Sequence, residues 1–257
     1  MKVTCASVEN EELAWAFGTA VYFRKDSLKH SSYSHSEFVR GLAKFGEFWV
    51  SGGDDKFIRF HRVNWGSGVE VVREFQHKKK VTGVLCVGSG LVFADKHGEV
   101  WKLGLEGPPE FVMGHQASIT SMSLGSDCVV SVDKDYKIKV SEAECLCKLR
   151  EVLLGHTSEV VSAVEYESRI YSTDSSTLVK WSGTKPLQSI ATKEPLKLLS
   201  SSECLVAVSC NSVYLVESEY LQLVPLSIPL VLDSVALLVG CQLYQVSETE
   251  ISINAVK

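Results

Sequence analysis

One pattern constrains this chain more than any other. A strand, a tight polar turn and a second strand recur at intervals of about forty residues. SGGDDKFIRFH (51–61), SVDKDYKIKVS (131–141) and STDSSTLVKW (172–181) align on one another, and ADKHGEVWKL (94–103) joins them. Weaker copies are AFGTAVYFR (16–24), VSCNSVYLV (208–216) and LVGCQLYQV (238–246). One apolar residue follows each turn: Val21, Ile58, Val100, Ile138, Leu178, Val213 and Leu243, spaced by 37, 42, 38, 40, 35 and 30 residues. A period of that length without a long amphipathic helix predicts four strands per repeat stacked face on face. The expected fold is therefore all-β, a seven-bladed β-propeller of residues 1–257 in a single domain, with some blades irregular.

A second marker precedes three of the hairpins: Gln76-His77 before VTGV, Gly114-His115 before ITSM, and Gly155-His156 before VVSA. It resembles the Gly-His of the WD-repeat family. There a His, a Ser or Thr, a turn Asp and a Trp form a hydrogen-bonded chain through each blade. On that pattern the fourth blade uses His115, Ser131 and Asp135, and the fifth uses His156. The second has Ser51 and Asp55 with no evident His. His97 and Ser175 stand in the turn-Asp place of the third and fifth blades, and His61 and Ser141 stand where Trp181 stands in the fifth. A buried imidazole needs partners for both nitrogens, so these histidines read as structural rather than catalytic.

Composition narrows the function. Hydrophobic residues make up 45% and charged residues 22%, enough for a real core. A net charge of −5 argues against nucleic-acid binding by bulk charge, although a local basic patch remains possible. The eight cysteines include no C-x-x-C pair, and Cys145 and Cys147 form an isolated C-x-C. We read them as free thiols of an intracellular protein, with no metal site. The start of the chain lacks the apolar core of a signal peptide. The apolar stretch LVPLSIPLVLDSVALLVG is broken by Pro225, Pro229 and Asp233, so core strands are expected rather than a membrane span. No phosphate loop, dinucleotide fingerprint, nucleophile elbow or zinc-protease motif is present, and no catalytic residue or cofactor is expected. Ring closure is expected from VTCASV (3–8) or ISINAV (251–256), joining an N-terminal strand to C-terminal strands.

The central hairpin carries a more specific resemblance. Val132-Asp133-Lys134-Asp135-Tyr136-Lys137-Ile138-Lys139-Val140-Ser141 is similar to the central-blade string A-D-R-D-E-K-I-R-V-S of one WD-repeat branch. That branch is the non-catalytic subunit of eukaryotic tRNA (guanine-N7) methyltransferase. One blade earlier, Phe93-Ala94-Asp95-Lys96-His97-Gly98-Glu99-Val100-Trp101 resembles its V-A-D-K-S-G-D-V-Y. Leu154-Gly155-His156-Thr157 follows in the right order. The likeness covers about residues 80–182 and fades beyond them.

The resemblance implies a scaffold that binds a separate catalytic subunit, which itself carries S-adenosylmethionine. Together they form N7-methylguanosine in the tRNA variable loop, largely in the nucleus. Basic residues of the central hairpin would ion-pair with acids of that partner. The matching positions are Lys134, Lys137 and Lys139. Strand alternation sets Lys137, Lys139 and Ser141 on one side, a poor core face because unpaired ammonium groups are costly to bury. Lys78, Lys79 and Lys80 form a weaker candidate for tRNA backbone contact. The alternative is a generic WD-repeat adaptor in another assembly, to which the hairpin lysines would not matter.

Overall fold

The computed structural model describes residues 3–9, 11–104, 106–228, 235–239, 242–247 and 251–256. The described residues contain strands and turns and no helix, so none is long and apolar enough to cross a membrane. Strand is favoured because apolar and polar residues alternate in short runs bounded by Gly, Asp and Ser turns. The strands form sheets of four antiparallel strands in repeated units, and each sheet runs in sequence order. This all-β arrangement is consistent with a repeat β-propeller. Sheets cover residues 3–32, 39–76, 81–114, 119–153, 162–191 and 197–226, and a last one holds three described strands between 235 and 255.

The chain divides into two compact units. One comprises residues 1–112, 231–237 and 245–252, and the other comprises 113–230, 238–244 and 253–257. In the first unit, the leading strands Val3–Glu9, Val39–Phe45 and Val81–Val87 pack in succession. Apolar clusters fill the space between these sheets: Phe23 with Trp49, and Phe60 with Val84 and Phe93. The approach is closest at Gly41, where a Cβ would lie 2.5 Å from the Val84 amide nitrogen. Only glycine lets the two backbones come that near.

In the second unit, Ile119–Leu124, Ser162–Tyr166 and Lys197–Ser200 follow the same rule. Val130, Val140, Ile170 and Trp181 form one cluster, and Tyr171, Leu198 and Leu205 belong to the next. Hydroxyls bridge adjacent sheets as well: Thr120 Oγ1 donates to the Val160 carbonyl at 3.0 Å and Ser123 Oγ to the Ala163 carbonyl at 2.7 Å.

All seven apolar marker residues, Val21, Ile58, Val100, Ile138, Leu178, Val213 and Leu243, are fully buried. The forty-residue period therefore marks a core position. The expected strand exchange is not found among the described residues. Val3–Glu9 pairs with Glu12–Phe17 across a short connection, and Ile251–Ala255 belongs to the sheet of Gln242–Val246. A hairpin between neighbours closes a far smaller loop than pairing across the whole chain, which favours the local partner.

Candidate functional site

The hairpin of Cys128–Asp133 and Ile138–Glu142 is the candidate partner surface, and its inner side is built on a histidine. His115 is buried beside it. Its Nδ1 donates to Asp133 Oδ2 at 2.8 Å, and its Nε2 accepts from Ser131 Oγ at 2.8 Å. Asp133, which is fully buried, also accepts the backbone N–H groups of Asp135 and Lys137, at 2.9 and 3.1 Å, and so locks the turn. The sequence pattern placed Asp135 in this role. Asp135 is instead exposed at the tip, because the strand-end Asp133 already faces the imidazole.

The same correction applies on either side. Asp95, rather than His97, accepts from His77 Nε2 at 3.0 Å. Asp174, rather than Ser175, accepts from His156 Nδ1 at 2.9 Å. His77 uses Nε2 because Phe93 fills the serine place and offers no hydroxyl; its ring packs edge-on at 5.1 Å.

Asp55 does take the turn position, and its histidine is one the sequence did not reveal. His35 Nδ1 donates to Asp55 at 2.9 Å, and His35 Nε2 accepts from Ser51 at 2.7 Å. The missed signal is a spacing. His35, His115 and His156 each precede their serine by 16 residues, whereas Gly-His appears before only two of them. Arg59 Nη1 adds a bond to Asp55 at 2.8 Å.

These chains have the order of a Ser–His–Asp triad, yet Ser51, Ser131 and Ser172 are fully buried. No substrate atom can approach such a hydroxyl, so the chains act as packing devices. Burial lowers the pKa of His35 and His115, which holds both rings neutral; their aspartates oppose that shift without reversing it.

The last member of each chain differs. Trp181 Nε1 donates to Ser172 Oγ at 2.7 Å. His61 takes that role toward Ser51, also at 2.7 Å, as its alignment with Trp181 suggested. Burial, followed by repulsion from His35 once that ring is protonated and from the Arg59 guanidinium, pushes the pKa of His61 down to about 3. At the third site Ser141 is fully buried and donates to Met113 Sδ at 3.3 Å instead of reaching Ser131.

The three hairpin lysines are placed unequally. Lys134 is exposed at the tip, and Lys137 Nζ donates to Gln116 Oε1 at 2.7 Å near the surface. Lys139 is half-buried, donates to the Gly114 carbonyl, and its charge helps keep His115 neutral. Its cross-strand partner is Ser131, and Arg59 and Trp101 hold the corresponding place in the sequences of two other hairpins. Tyr136, between the tip lysines, is 42% exposed, and Leu154 nearby is 60% exposed. Tyr136 has φ 67°, a left-handed conformation that Gly98 supplies in the preceding sheet. Among the lysines of the weaker candidate, Lys78 and Lys79 are exposed, while Lys80 pairs with Glu37 at 2.8 Å.

No protein-family model matches the chain, and no curated protein matches it. A crystal structure of the computationally designed Ika8 protein is similar, with a TM-score of 0.74 at 19% identity. The match covers 98% of this chain and 83% of that one. At that identity the likeness speaks for the fold alone.

Proposed function

We propose that this chain is a non-catalytic WD-repeat subunit, a closed seven-bladed propeller that holds the catalytic subunit of a tRNA (guanine-N7) methyltransferase. The observation that carries the reading is the hairpin of residues 128–142. Its tip presents Lys134 and Lys137 around an exposed tyrosine held in a left-handed backbone conformation. The same left-handed turn position is held by Lys56 and Gly98 in two other hairpins, so the turn geometry requires it, and the exposed aromatic ring between two lysines is what is particular to this tip. Acidic side chains of a partner fit this basic, partly aromatic tip. S-adenosylmethionine and the reacting guanosine belong to the catalytic subunit. Lys78 and Lys79 are free to meet the tRNA backbone, and Lys80 is already engaged with Glu37.

Lys139 supports the hairpin from inside, so the test belongs at the tip. The catalytic subunit from the same organism is mixed with the unmodified chain or with a Lys134→Glu, Lys137→Glu double variant, and both capture and tRNA methylation are measured. The unmodified chain binds and raises methylation, while the variant keeps its fold and does neither. Losing one charge of an interfacial pair costs about 2–5 kcal/mol, enough to empty the complex at working concentrations. If the unmodified chain does not bind, the assignment fails and the generic adaptor becomes the better account.

A further inference from the structure

The hairpin's far end, where it turns into its last strand, holds a second chemical feature. Cys145 and Cys147 are both exposed free thiols, and their sulfurs lie 2.8 Å apart. The connection is held in shape by its backbone. The Lys148 N–H donates to the Cys145 carbonyl at 2.8 Å, Glu142 N–H to the Lys148 carbonyl at 3.0 Å, and Ala143 N–H to the Asp127 carbonyl at 3.0 Å. Leu146, between the two cysteines in sequence, is buried, while both cysteines are exposed. Unlike Cys128, buried in the core, and Cys210, which faces Glu194, this pair has a second sulfur within reach and open access to solvent.

We propose that Cys145 and Cys147 are a two-electron thiol pair that closes to an intramolecular disulfide by exchange with a small-molecule disulfide of the glutathione type. The reaction is independent of the partner reading above. The Cys145 thiolate attacks one sulfur of glutathione disulfide, breaks its S–S bond and releases one glutathione thiolate. Cys147 then loses its proton to solvent and attacks the Cys145 sulfur. The mixed disulfide breaks, and the second glutathione leaves. The pair is oxidised by two electrons, the glutathione disulfide is reduced to two thiols, and the protein gives up two protons.

The order of attack follows from the surroundings. The contact with Cys145 raises the pKa of Cys147, so Cys147 holds its proton longer.

The experiment uses the full chain, fully reduced, in glutathione buffers running from all thiol to all disulfide. Remaining thiols are alkylated, and the peptides are read by mass spectrometry. The expected product is a 145–147 peptide lighter by two hydrogens, unalkylated and free of glutathione. In Cys147→Ser the second step is blocked, so a glutathione adduct accumulates on Cys145. Both positions are exposed, and an unchanged unfolding midpoint confirms that the variant is folded. The proposal is overturned if both sulfurs of the unmodified chain remain alkylatable in disulfide alone, or if a glutathione adduct persists there without closing.

Discussion

Replacing Asp133 with Ala tests the internal wiring of the hairpin most sharply, because Asp135 two residues away provides the control. Asp133 receives the His115 Nδ1–H and two turn amides. With Ala, the imidazole N–H loses its acceptor where water does not reach, at a cost of about 1–3 kcal/mol. The two turn amides lose charge-assisted bonds but can turn to water, adding about 1 kcal/mol each. The expected total is about 3–5 kcal/mol. In a chain of this size each kcal/mol shifts Tm by about 2–4 °C, so the drop is roughly 10 °C. Asp135→Ala changes only an exposed tip and stays within about 0.5 kcal/mol. Urea titration and thermal melting of both variants, followed by circular dichroism, give the comparison. Equal losses, or a larger loss for Asp135→Ala, would refute the assignment of Asp133 as the histidine's partner.

Stability falls on acidification in two stages. His61 titrates at about 3 in the fold against an ordinary 6.5, so the folded state binds fewer protons. Its contribution is whole above pH 6.5 and declines as pH falls toward 3. For Asp174, burial raises the pKa, but bonds from the Ser176 amide, His156 and Thr177 outweigh it and bring the value to about 2. Its contribution is present above its ordinary 3.8 and is lost between there and 2. Urea midpoints measured across that range, with and without His61→Phe, check both signs; a flat profile between pH 6.5 and 4 would contradict the first. Tyr136→Gly removes left-handed strain, so stability from urea titration should hold or rise by about 1 kcal/mol, while under the proposed function capture of the catalytic subunit weakens. Gly41→Ala pushes a methyl into the Val84 backbone and should cost about 1–3 kcal/mol by thermal melting.

The repeat was legible because burial forces it. An apolar residue after each turn must enter the core of its sheet, and all seven did so. The aspartates were less legible because SVDKDYK offers two candidates, Asp133 and Asp135, and composition does not choose between them. Turn geometry does: an acid at the strand end meets the imidazole directly, whereas in SGGDDK glycine holds that place and Asp55 reaches back from the turn. His35 escaped notice because Ser34 replaces the usual glycine, although its distance from Ser51 matched the other copies. Lys139 looked like surface because lysine usually is. Only the register, which pairs it with Ser131 beside His115, puts its stem inside the hairpin.

The succession of strands has a bearing on how such a chain comes into being. Among the described residues, each four-stranded sheet is drawn from one continuous piece of chain. During translation the ribosome delivers the sheets one after another, each able to zip up on leaving the exit tunnel. The leading strand of the next then covers the exposed apolar face. Residues 3–32 do not have to wait for the C-terminus to complete their hydrogen bonds. The apolar face of each sheet is therefore exposed only for the time needed to synthesise about forty more residues.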